Sequence, residues 1–366
     1  MKKLIKLLVL LIFVIEGCVN AKEYVIEGRI DGDAKLYLCV TNEQGKQDTI
    51  QQMMAQNGKF QMKGSIEGDR IAFLTVQDRT GRIPLMLKDT IFSLDIRGND
   101  LSDVRNFTAR GGVLQNRKDA LDQKEIEIYR NRDSVLVRIN RAEEEHNIFR
   151  RMHEMAALHV MDEIYNKEEN RLIQENKDNI LGLYLAYYRY SYLDYEQLKS
   201  KFDVLSERMK NLPEGKLIEK RYKKLSEVKV GAYAPNFKLP TLTGDSIHLY
   251  GTSATVKIID FWASWCGPCR KENPHLVEIY NKYKGKDLLM ISISMDTDEK
   301  SWKKAVKEDG LTWIQACDLN GADGKAARAY RVTGIPHIFV LDGNNKIIGE
   351  KLKGKELDEL LSKYLK

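Results

Sequence analysis

Cysteine is scarce in this chain, and its scarcity excludes one class of protein. The 366 residues contain five cysteines, of which Cys18 lies near the start and the others are Cys39, Cys266, Cys269 and Cys317. Small secreted scaffolds that are held together by disulfides are short and dense in cysteine, and this chain is neither. Its apolar content of 43% is that of an ordinary globular protein.

The chain also lacks a strong excess of charge of one sign. There are 59 lysines and arginines against 53 aspartates and glutamates, a net charge of +6. This small excess is spread along the chain, whereas proteins that bind nucleic acids concentrate basic residues in a patch. Nucleic acid is therefore not expected as a partner. The length predicts two or three domains of roughly 100–200 residues each.

The apolar run near the start is too short to span a bilayer. Lys2, Lys3 and Lys6 precede the run at 7–15, whereas a membrane-spanning helix needs about 20 apolar residues. A positive head with an apolar run of this length is typical of an export signal. We therefore expect residues 1–21 to be a signal peptide and the mature protein to work in the periplasm or cell envelope.

Two cleavage positions fit this signal. Residues 19–21 (VNA) form a small-residue site of the ordinary secretory type. Residues 15–18 (IEGC) resemble the box of a bacterial lipoprotein, in which the cysteine is lipidated, although Glu16 fits that box poorly. Cys18 is thus a candidate lipid anchor, and the choice between the two sites stays open.

Residues 23–112 have the pattern of short strands. Apolar side chains alternate at Tyr24, Ile26 and Ile30, at Leu36, Leu38 and Val40, at Phe60 and Met62, and at Phe92, Leu94 and Ile96. Glycine-containing turn signals separate these runs. The spacing predicts a small antiparallel β-sandwich. Cys39 lies on the strand face opposite Leu38, and we interpret it as a buried, inert thiol.

Residues 113–228 have a helical pattern and contain no proline before Pro213. Apolar residues recur every seven positions, at Leu121, Ile128, Val135, Ala142, Phe149 and Ala156. The companion positions are polar or charged (Glu125, Arg132, His146 and His153), so that a coiled-coil seam is not sustained. We expect an amphipathic helix that lies on a neighbouring domain, with dimerisation as the alternative.

Two further features of this helical segment invite a functional interpretation. His146, His153 and His159 are seven and six residues apart, and histidines at these gaps on a helix do not converge on a metal ion as an i, i+4 pair does. The tyrosine-rich stretch 183–195 is either a recognition surface or, as we expect, a helix-packing surface with its hydroxyls at the rim.

Residues 229–366 alternate between strand and helix patterns and predict an α/β domain with a mixed sheet. The expected strands are 256–261, a run suited to burial on both faces, and then 288–292, 337–341 and 346–348. The expected helices are 268–284, 298–309, 322–331 and 355–365.

The pair Cys266 and Cys269 stands where a helix follows a buried strand. A thiol attacks a disulfide only as thiolate, and a free cysteine is mostly protonated at neutral pH. The start of a helix offers unpaired N–H groups and the positive end of the macrodipole, which favour the anion. Cys269, one turn later, is close enough to displace a mixed disulfide on Cys266. Such a C-x-x-C pair near a βαβ pattern indicates a thioredoxin-like redox motif.

The neighbouring residues carry a resemblance to a known family. The segment 261–269 (FWASWCGPC) closely resembles the active site of the thioredoxin superfamily. Its extracytoplasmic TlpA/ResA-like branch is similar at four segments: 231–237 (GAYAPNF), 239–244 (LPTLTG), 270–274 (RKENP) and 332–336 (VTGIP). These motifs together cover about 229–366. Residues 23–112 resemble, in strand pattern, the DUF4369 domain that often precedes such domains in Bacteroidetes-type lipoproteins.

The resemblance implies roles for the residues at the pair. Cys266 would be the attacking cysteine and Cys269 the resolving one. Pro336 would follow a cis peptide bond and face the pair, and the Ile335 backbone would pair with an extended substrate. The remaining positions of the implied substrate surface are Trp265, Gly267 and Pro268. No cofactor besides the redox-active disulfide is implied.

The resemblance also implies a buried acid. Asp260 occupies the place of the acid behind the pair in thioredoxins, and Glu272 that of the acid in the ResA-like branch. A buried carboxylate with a raised pKa could take the proton of Cys269. Which of the two acids serves is open.

Other interpretations of the cysteines are weaker. Half of a zinc site would need a second C-x-x-C or a histidine pair, which the sequence does not offer, so that no metal is expected. A static disulfide is disfavoured by the helix start beside Trp265. Cys317, next to Trp313 and Ile314, is either core, as we expect, or a third redox partner.

We therefore predict an extracytoplasmic thiol-disulfide oxidoreductase that acts on exported proteins, in the reducing direction, with a membrane thiol reductant as donor. The alternatives are a peroxide-reducing antioxidant protein of the AhpC/TSA type and a surface-attached, non-enzymatic binding lipoprotein. The first would need one cysteine in a Pro-x-x-x-Thr-x-x-Cys setting, which is missing before Cys266 and Cys269.

Overall fold

The computed structural model describes residues 21–88, 90–145 and 147–365. Residues 1–20, with Cys18 and most of the predicted signal peptide, and His146 lie outside this range. The chain divides into two compact units. One comprises the described residues up to Leu185 together with Leu205–Glu214, and the other comprises Ala186–Val204 and the described residues from Gly215 onward. Among the described helices, none is long and apolar enough to cross a membrane.

The first unit contains two four-stranded sheets. The strands are β1 (Ala21–Ile30), β2 (Lys35–Thr41), β3 (Gln47–Met54), β4 (Lys59–Glu67), β5 (Arg70–Val76), β6 (Ile83–Leu87), β7 (Thr90–Ile96) and β8 (Phe107–Arg110). One sheet has the order β4-β1-β7-β8 and the other β3-β2-β5-β6. The two sheets share one apolar core, so that the unit is the predicted β-sandwich.

The predicted alternation places side chains correctly in this core. Ile26, Leu38, Met62 and Leu94, one from each recognised strand, are all buried. Cys39 is buried on the other face of β2, where its Sγ lies 3.5 Å from the hydroxyl of Thr49. One strand pair departs from the prediction: β1 pairs with β7 in parallel. Alternation assigns faces to a strand but not its direction, which explains the difference.

Six helices follow the sandwich: α1 (Gly112–Glu144), α2 (Ile148–Glu175), α3 (Ile180–Tyr187), α4 (Tyr195–Val204), α5 (Glu207–Lys210) and α6 (Pro213–Ser226). They occupy the predicted helical segment. The segment is not one unit, because α1 and α2 belong to the first unit, whereas α4 and most of α6 belong to the second.

Helices α1 and α2 form a hairpin instead of the one helix expected. The expected packing on a neighbouring domain is found for α1, because its Gln115 accepts a hydrogen bond from the N–H of Met86 at 3.1 Å and its Ile126 packs against the sandwich core. Ion pairs join them at Lys124–Glu168, Arg132–Asp162 and Arg138–Glu154, with N···O distances of 2.7–3.0 Å. The seven-residue recurrence runs through the turn between them, so that Val135 is buried but Phe149 is 88% exposed. The recurrence therefore marks no continuous seam.

The second unit is built on a mixed five-stranded sheet of order β13-β12-β11-β14-β15. Its strands, with a preceding two-stranded hairpin β9–β10, are β9 (Lys238–Pro240), β10 (Ser246–His248), β11 (Val256–Trp262), β12 (Leu288–Ser294), β13 (Ile314–Cys317), β14 (His337–Asp342) and β15 (Ile347–Glu350). Central β11 runs parallel to β12 and antiparallel to β14. All seven residues of β11 are buried, as its apolar run predicted.

Four helices complete this unit: α7 (Gly267–Tyr283), α8 (Glu299–Glu308), α9 (Lys325–Ala329) and α10 (Gly354–Tyr364). Three of them match the predicted helices within two residues. The fourth, expected over 322–331, is shorter, because Gly324 has an extended ψ of 141° and separates α9 from the preceding 3-10 turn.

Candidate active site

Cys266 is the N-cap residue of α7. The backbone N–H of Cys269 donates a hydrogen bond to its Sγ at 3.1 Å, so that one of the unpaired N–H groups of the helix start points at sulfur. The two cysteines form a disulfide with a Cα–Cα distance of 5.2 Å. Both are buried, and Cys269, 1% exposed, is the less accessible of the two. The geometry is that expected for an activated nucleophile with a shielded partner.

The surface around Cys266 is open. Trp265, which precedes Cys266 in the chain, is 66% exposed, and Gly267 and Pro268, which follow it, are also exposed. The peptide bond between Ile335 and Pro336 is cis, as the resemblance implied. His337 pairs with Phe261, so that Pro336 lies at the same end of β11 as the segment that leads to Cys266. The structure thus places the predicted substrate-surface residues at the same end of the central strand β11.

The segment before Cys266 is held by Asp296, a residue that the sequence analysis missed. The Asp296 carboxylate accepts hydrogen bonds from the backbone N–H of Ser264 at 2.9 Å and from its hydroxyl at 2.5 Å. Ser294 donates to the same carboxylate at 2.6 Å. Asp296 is buried and follows β12 at the carboxyl end of the parallel strands. That position was a usable signal, because polar side chains that follow neighbouring parallel strands meet at one edge.

Arg270 holds the segment from the side of the helix. Its guanidinium makes two hydrogen bonds to the carboxylate of Asp309, at 2.5 and 2.7 Å, and a third to the carbonyl of Ser264 at 3.2 Å. Asn273, one turn along α7, donates to the same Asp309 carboxylate at 2.5 Å. Two-point contacts of this kind fix orientation as well as position. Asp296 and Arg270 thereby hold the segment before Cys266 from two sides.

Asp260 is a buried acid in β11 behind this site. Burial raises the pKa of its carboxyl to about 7; the Ser292 hydrogen bond opposes the rise and the charge of Glu272 adds to it. The Ser292 hydroxyl donates to Asp260 at 2.8 Å and accepts from the indole N–H of Trp313 at 2.8 Å. A carboxyl with such a pKa exchanges a proton readily at neutral pH. Ser292 and Trp313 were also missed by the sequence analysis.

Glu272 lies one turn after Cys269 on α7 and is half-buried. Residues three apart on a helix share a face, so that Glu272 and Cys269 are neighbours. Within the part of the chain that the structure describes, one carboxylate oxygen of Glu272 is buried and has no hydrogen-bond partner. Because its charge raises the pKa of Asp260, the two carboxyls lie within electrostatic range. Both acids thus remain candidates for the proton of Cys269.

The remaining predicted residues are Cys317 and the histidines of the helical segment. Cys317 is buried in β13, and its thiol donates a hydrogen bond to the carbonyl of Asp296 at 3.6 Å while its Sγ accepts one from the N–H of Leu319 at 3.3 Å. Burial raises the pKa of this thiol. Such a thiol is a poor nucleophile. His153 and His159 belong to no cluster, because among the described residues no group of three or more His, Cys, Asp or Glu side chains could hold a metal ion.

Comparison with known proteins decides the family. The Redoxin family model matches residues 229–362, and the model of DUF4369, a domain of unknown function, matches residues 24–117. Thiol-disulfide oxidoreductase ResA of Bacillus cereus is 34% identical over 145 residues, which cover 40% of this chain and 82% of that protein. The chain belongs to the ResA-like thiol-disulfide oxidoreductases. ResA of Geobacillus kaustophilus is 29% identical over 120 residues, or 33% of this chain and 67% of that protein.

Solved structures of the same kind are also similar to this ResA-like chain. The thioredoxin domain of a thiol-disulfide oxidoreductase from Bacteroides vulgatus is 32% identical, with 38% of this chain and 99% of that chain covered and a TM-score of 0.36. A thiol-disulfide oxidoreductase from Bacteroides fragilis is 31% identical, with 36% and 98% covered and a TM-score of 0.34. The Redoxin match spans the five-stranded sheet and confirms the predicted thioredoxin-like fold. The DUF4369 match confirms the predicted resemblance of the strand-rich domain. The chain is a thiol-disulfide oxidoreductase.

Proposed function

We propose that this ResA-like enzyme works outside the cytosol and reduces disulfides in exported proteins. The observation that carries the proposal is the hydrogen bond from the Cys269 N–H to Cys266 Sγ at the start of α7, which favours a thiolate on the more accessible cysteine. The short export-type sequence at 1–21 supports the location. Cys18, if lipidated, attaches the protein to the membrane.

In the reduced enzyme the reaction has two steps. The Cys266 thiolate attacks one sulfur of the substrate disulfide, forms a mixed disulfide and expels the other substrate sulfur as a thiolate. Cys269 then loses its proton to a buried carboxylate, Asp260 or Glu272, and attacks Cys266 Sγ. The second substrate thiolate leaves, and the Cys266–Cys269 disulfide forms. The substrate gains two electrons and the enzyme loses two.

The oxidised enzyme must be reduced again before the next turnover. The disulfide between Cys266 and Cys269 is then attacked by a thiolate of the electron donor, and the two steps run in reverse. The compartment outside the cytosol is oxidising, so that the donor must bring electrons across the membrane. We therefore propose a membrane thiol reductant as the donor, as the sequence predicted. No metal or further cofactor takes part in these steps.

The first step is tested by removing the resolving thiol. Reduced Cys269→Ala enzyme is expected to stay linked to its substrate, because nothing displaces the mixed disulfide. After incubation with insulin, intact-mass measurement should show the enzyme plus one whole insulin molecule, because a single exchange leaves the two insulin chains joined, and dithiothreitol should remove the adduct. The matched variant Cys266→Ser with Cys269→Ala should give no adduct. An adduct of equal yield on both variants would contradict the assignment of Cys266.

A further inference from the structure

A loop of tyrosines lies against the loop that contains Pro336. We name residues 188–194, between α3 and α4, the tyrosine loop. The hydroxyl of Thr333 donates a hydrogen bond to the carbonyl of Ser191 at 2.9 Å, although 142 positions separate the two residues. Thr333 is itself three residues before Pro336. The tyrosine loop is thus held next to the segment whose backbone would pair with substrate.

Arg221 of α6 strengthens this attachment. Its guanidinium donates to the carbonyl of Tyr190 at 3.0 Å, and to the carbonyl of Leu193 and the hydroxyl of Thr333 at 3.4 Å each. One side chain therefore contacts both loops. A guanidinium has donors in a fixed planar arrangement, so that such contacts restrict the relative positions of the groups they join.

The far end of the tyrosine loop is anchored by stacked rings. Tyr195 stacks on Tyr222 of α6 with a centroid distance of 5.1 Å, and their hydroxyls are 3.1 Å apart. The ammonium of Lys229 lies over the Tyr195 ring at 4.3 Å. These contacts satisfy the packing role that the sequence analysis expected of the tyrosines. They do not involve the ring of Tyr192.

The ring of Tyr192 is exposed to solvent and is therefore accessible to a binding partner. It is 70% exposed at the turn of the loop, whereas Tyr187 and Tyr195 on either side are buried. Tyrosine rings present a large, rigid, amphipathic surface and are enriched among the residues that dominate binding energy. An exposed ring on an anchored loop loses little entropy when a partner covers it.

The distances suit an extended polypeptide. Thr333 and Pro336 are three residues apart, so that their Cα atoms are separated by at most about 11 Å. An extended chain advances about 3.3 Å per residue, and a residue roughly three positions from the one paired with Ile335 therefore reaches the tyrosine loop. A small disulfide such as oxidised glutathione does not extend that far.

We propose that the tyrosine loop is a second wall of the substrate-binding surface and that Tyr192 selects polypeptide substrates with a large apolar residue about three positions from the reactive cysteine. This inference rests on the proposed function, in which the substrate is a polypeptide that pairs beside Pro336. It deepens that function by assigning a specificity-determining residue to a stretch outside the thioredoxin-like motifs.

The test compares three disulfides as substrates of the reduced enzyme. One is a peptide dimer with phenylalanine three residues to either side of its cysteine, the second has serine at those positions, and the third is oxidised glutathione. Wild type is expected to react with the phenylalanine peptide about fivefold to tenfold faster than with the serine peptide, because a well-placed aromatic contact contributes at this scale. Tyr192→Ser should reduce this preference to less than about twofold, and Tyr192→Phe should retain it.

Tyr233→Ser is the matched control. Tyr233 is 65% exposed, and its backbone pairs with Lys346. Lys346 lies close to Asp342, which pairs with Val256 at the end of β11 opposite to the active site. This variant should keep the wild-type preference. An unchanged preference in Tyr192→Ser, no preference in wild type, or an equal loss of rate with all three disulfides would overturn the inference. If wild type reacts with glutathione but with neither peptide, the proposed function fails as well.

Discussion

Cys266→Ser is expected to abolish the reduction of insulin disulfides, leaving only the rate given by dithiothreitol alone. A serine hydroxyl is not ionised near neutral pH, even when it accepts the N–H of Cys269 as Cys266 does at 3.1 Å. Cys269 is not expected to replace the lost nucleophile, because it is the less accessible of the two, 1% exposed against 4% for Cys266. The measurement is the rate of insulin precipitation with the mature protein as catalyst and dithiothreitol as donor.

The matched control for this prediction is Cys39→Ser. Cys39 is a buried cysteine of the first unit, and serine preserves its hydrogen-bonding partner Thr49. This variant should match wild type. A Cys266→Ser variant that reduces insulin as fast as wild type would overturn the exchange mechanism.

Asp260→Asn is expected to stabilise the second unit of the oxidised protein by about 2–4 kcal/mol at pH 8 and to have little stabilising effect at pH 4. Burial raises the pKa of Asp260 from 3.8 to about 7. The folded protein therefore keeps a proton on Asp260 that the unfolded chain has already lost between these pH values. A pKa difference of one unit between the folded and unfolded states corresponds to about 1.4 kcal/mol of stability, so that the rise from 3.8 to about 7 corresponds to roughly 4 kcal/mol.

The sign of this effect follows from which state binds the proton more tightly. The folded state has the raised pKa, so that the stability associated with Asp260 is fully present below about pH 4 and is lost as the pH rises to about 7. Asparagine does not titrate, and its variant should lack this part of the pH dependence. The difference between the two proteins should thus grow over this window and level off above it.

Tryptophan fluorescence is a suitable probe, because all four tryptophans (Trp262, Trp265, Trp302 and Trp313) lie in the second unit. Their signal during urea unfolding reports that unit alone, which avoids mixing the transitions of the two units. Asp323→Asn, at an exposed position of the same unit, is the control and should change stability by less than about 0.5 kcal/mol. An Asp260→Asn effect that is independent of pH would contradict the raised pKa.

Asp260→Asn and Glu272→Gln together separate the two acids in catalysis. If Asp260 takes the proton of Cys269, Asp260→Asn slows the second step and Glu272→Gln does not; if Glu272 takes it, the order is reversed. The step is followed as the release of substrate from the mixed disulfide over a range of pH. Unchanged release in both variants would remove the proton-transfer role from both carboxyls.

The sequence predicted those parts of the structure that depend on neighbours along the chain. The strand–cysteine–helix order around Cys266 is local, and the helix start and the buried β11 both appear where expected. The alternating residues of the sandwich, such as Ile26 and Leu94, were likewise assigned to the correct face. Periodicity is a property of single elements, and single elements are what it predicted well.

The sequence did not predict contacts between distant elements. Ser264 and Asp296 are 32 residues apart, Ser292 and Trp313 are 21 apart, and neither pair has a periodic signature. The same limit applies to the parallel pairing of β1 with β7. The turn between α1 and α2 was missed for a related reason, because the seven-residue recurrence continues from Val135 to Phe149 although the chain reverses between them.

The account depends on the ionisation of the Cys266 thiol. Its most direct test is the pH titration of thiolate absorbance in Cys269→Ala, with the spectrum of Cys266→Ser with Cys269→Ala subtracted, so that only Cys266 contributes. We expect the midpoint to lie below 7, well under the ordinary cysteine value of about 8.5, because the α7 amides stabilise the anion. A midpoint at or above the ordinary value would contradict the mechanism.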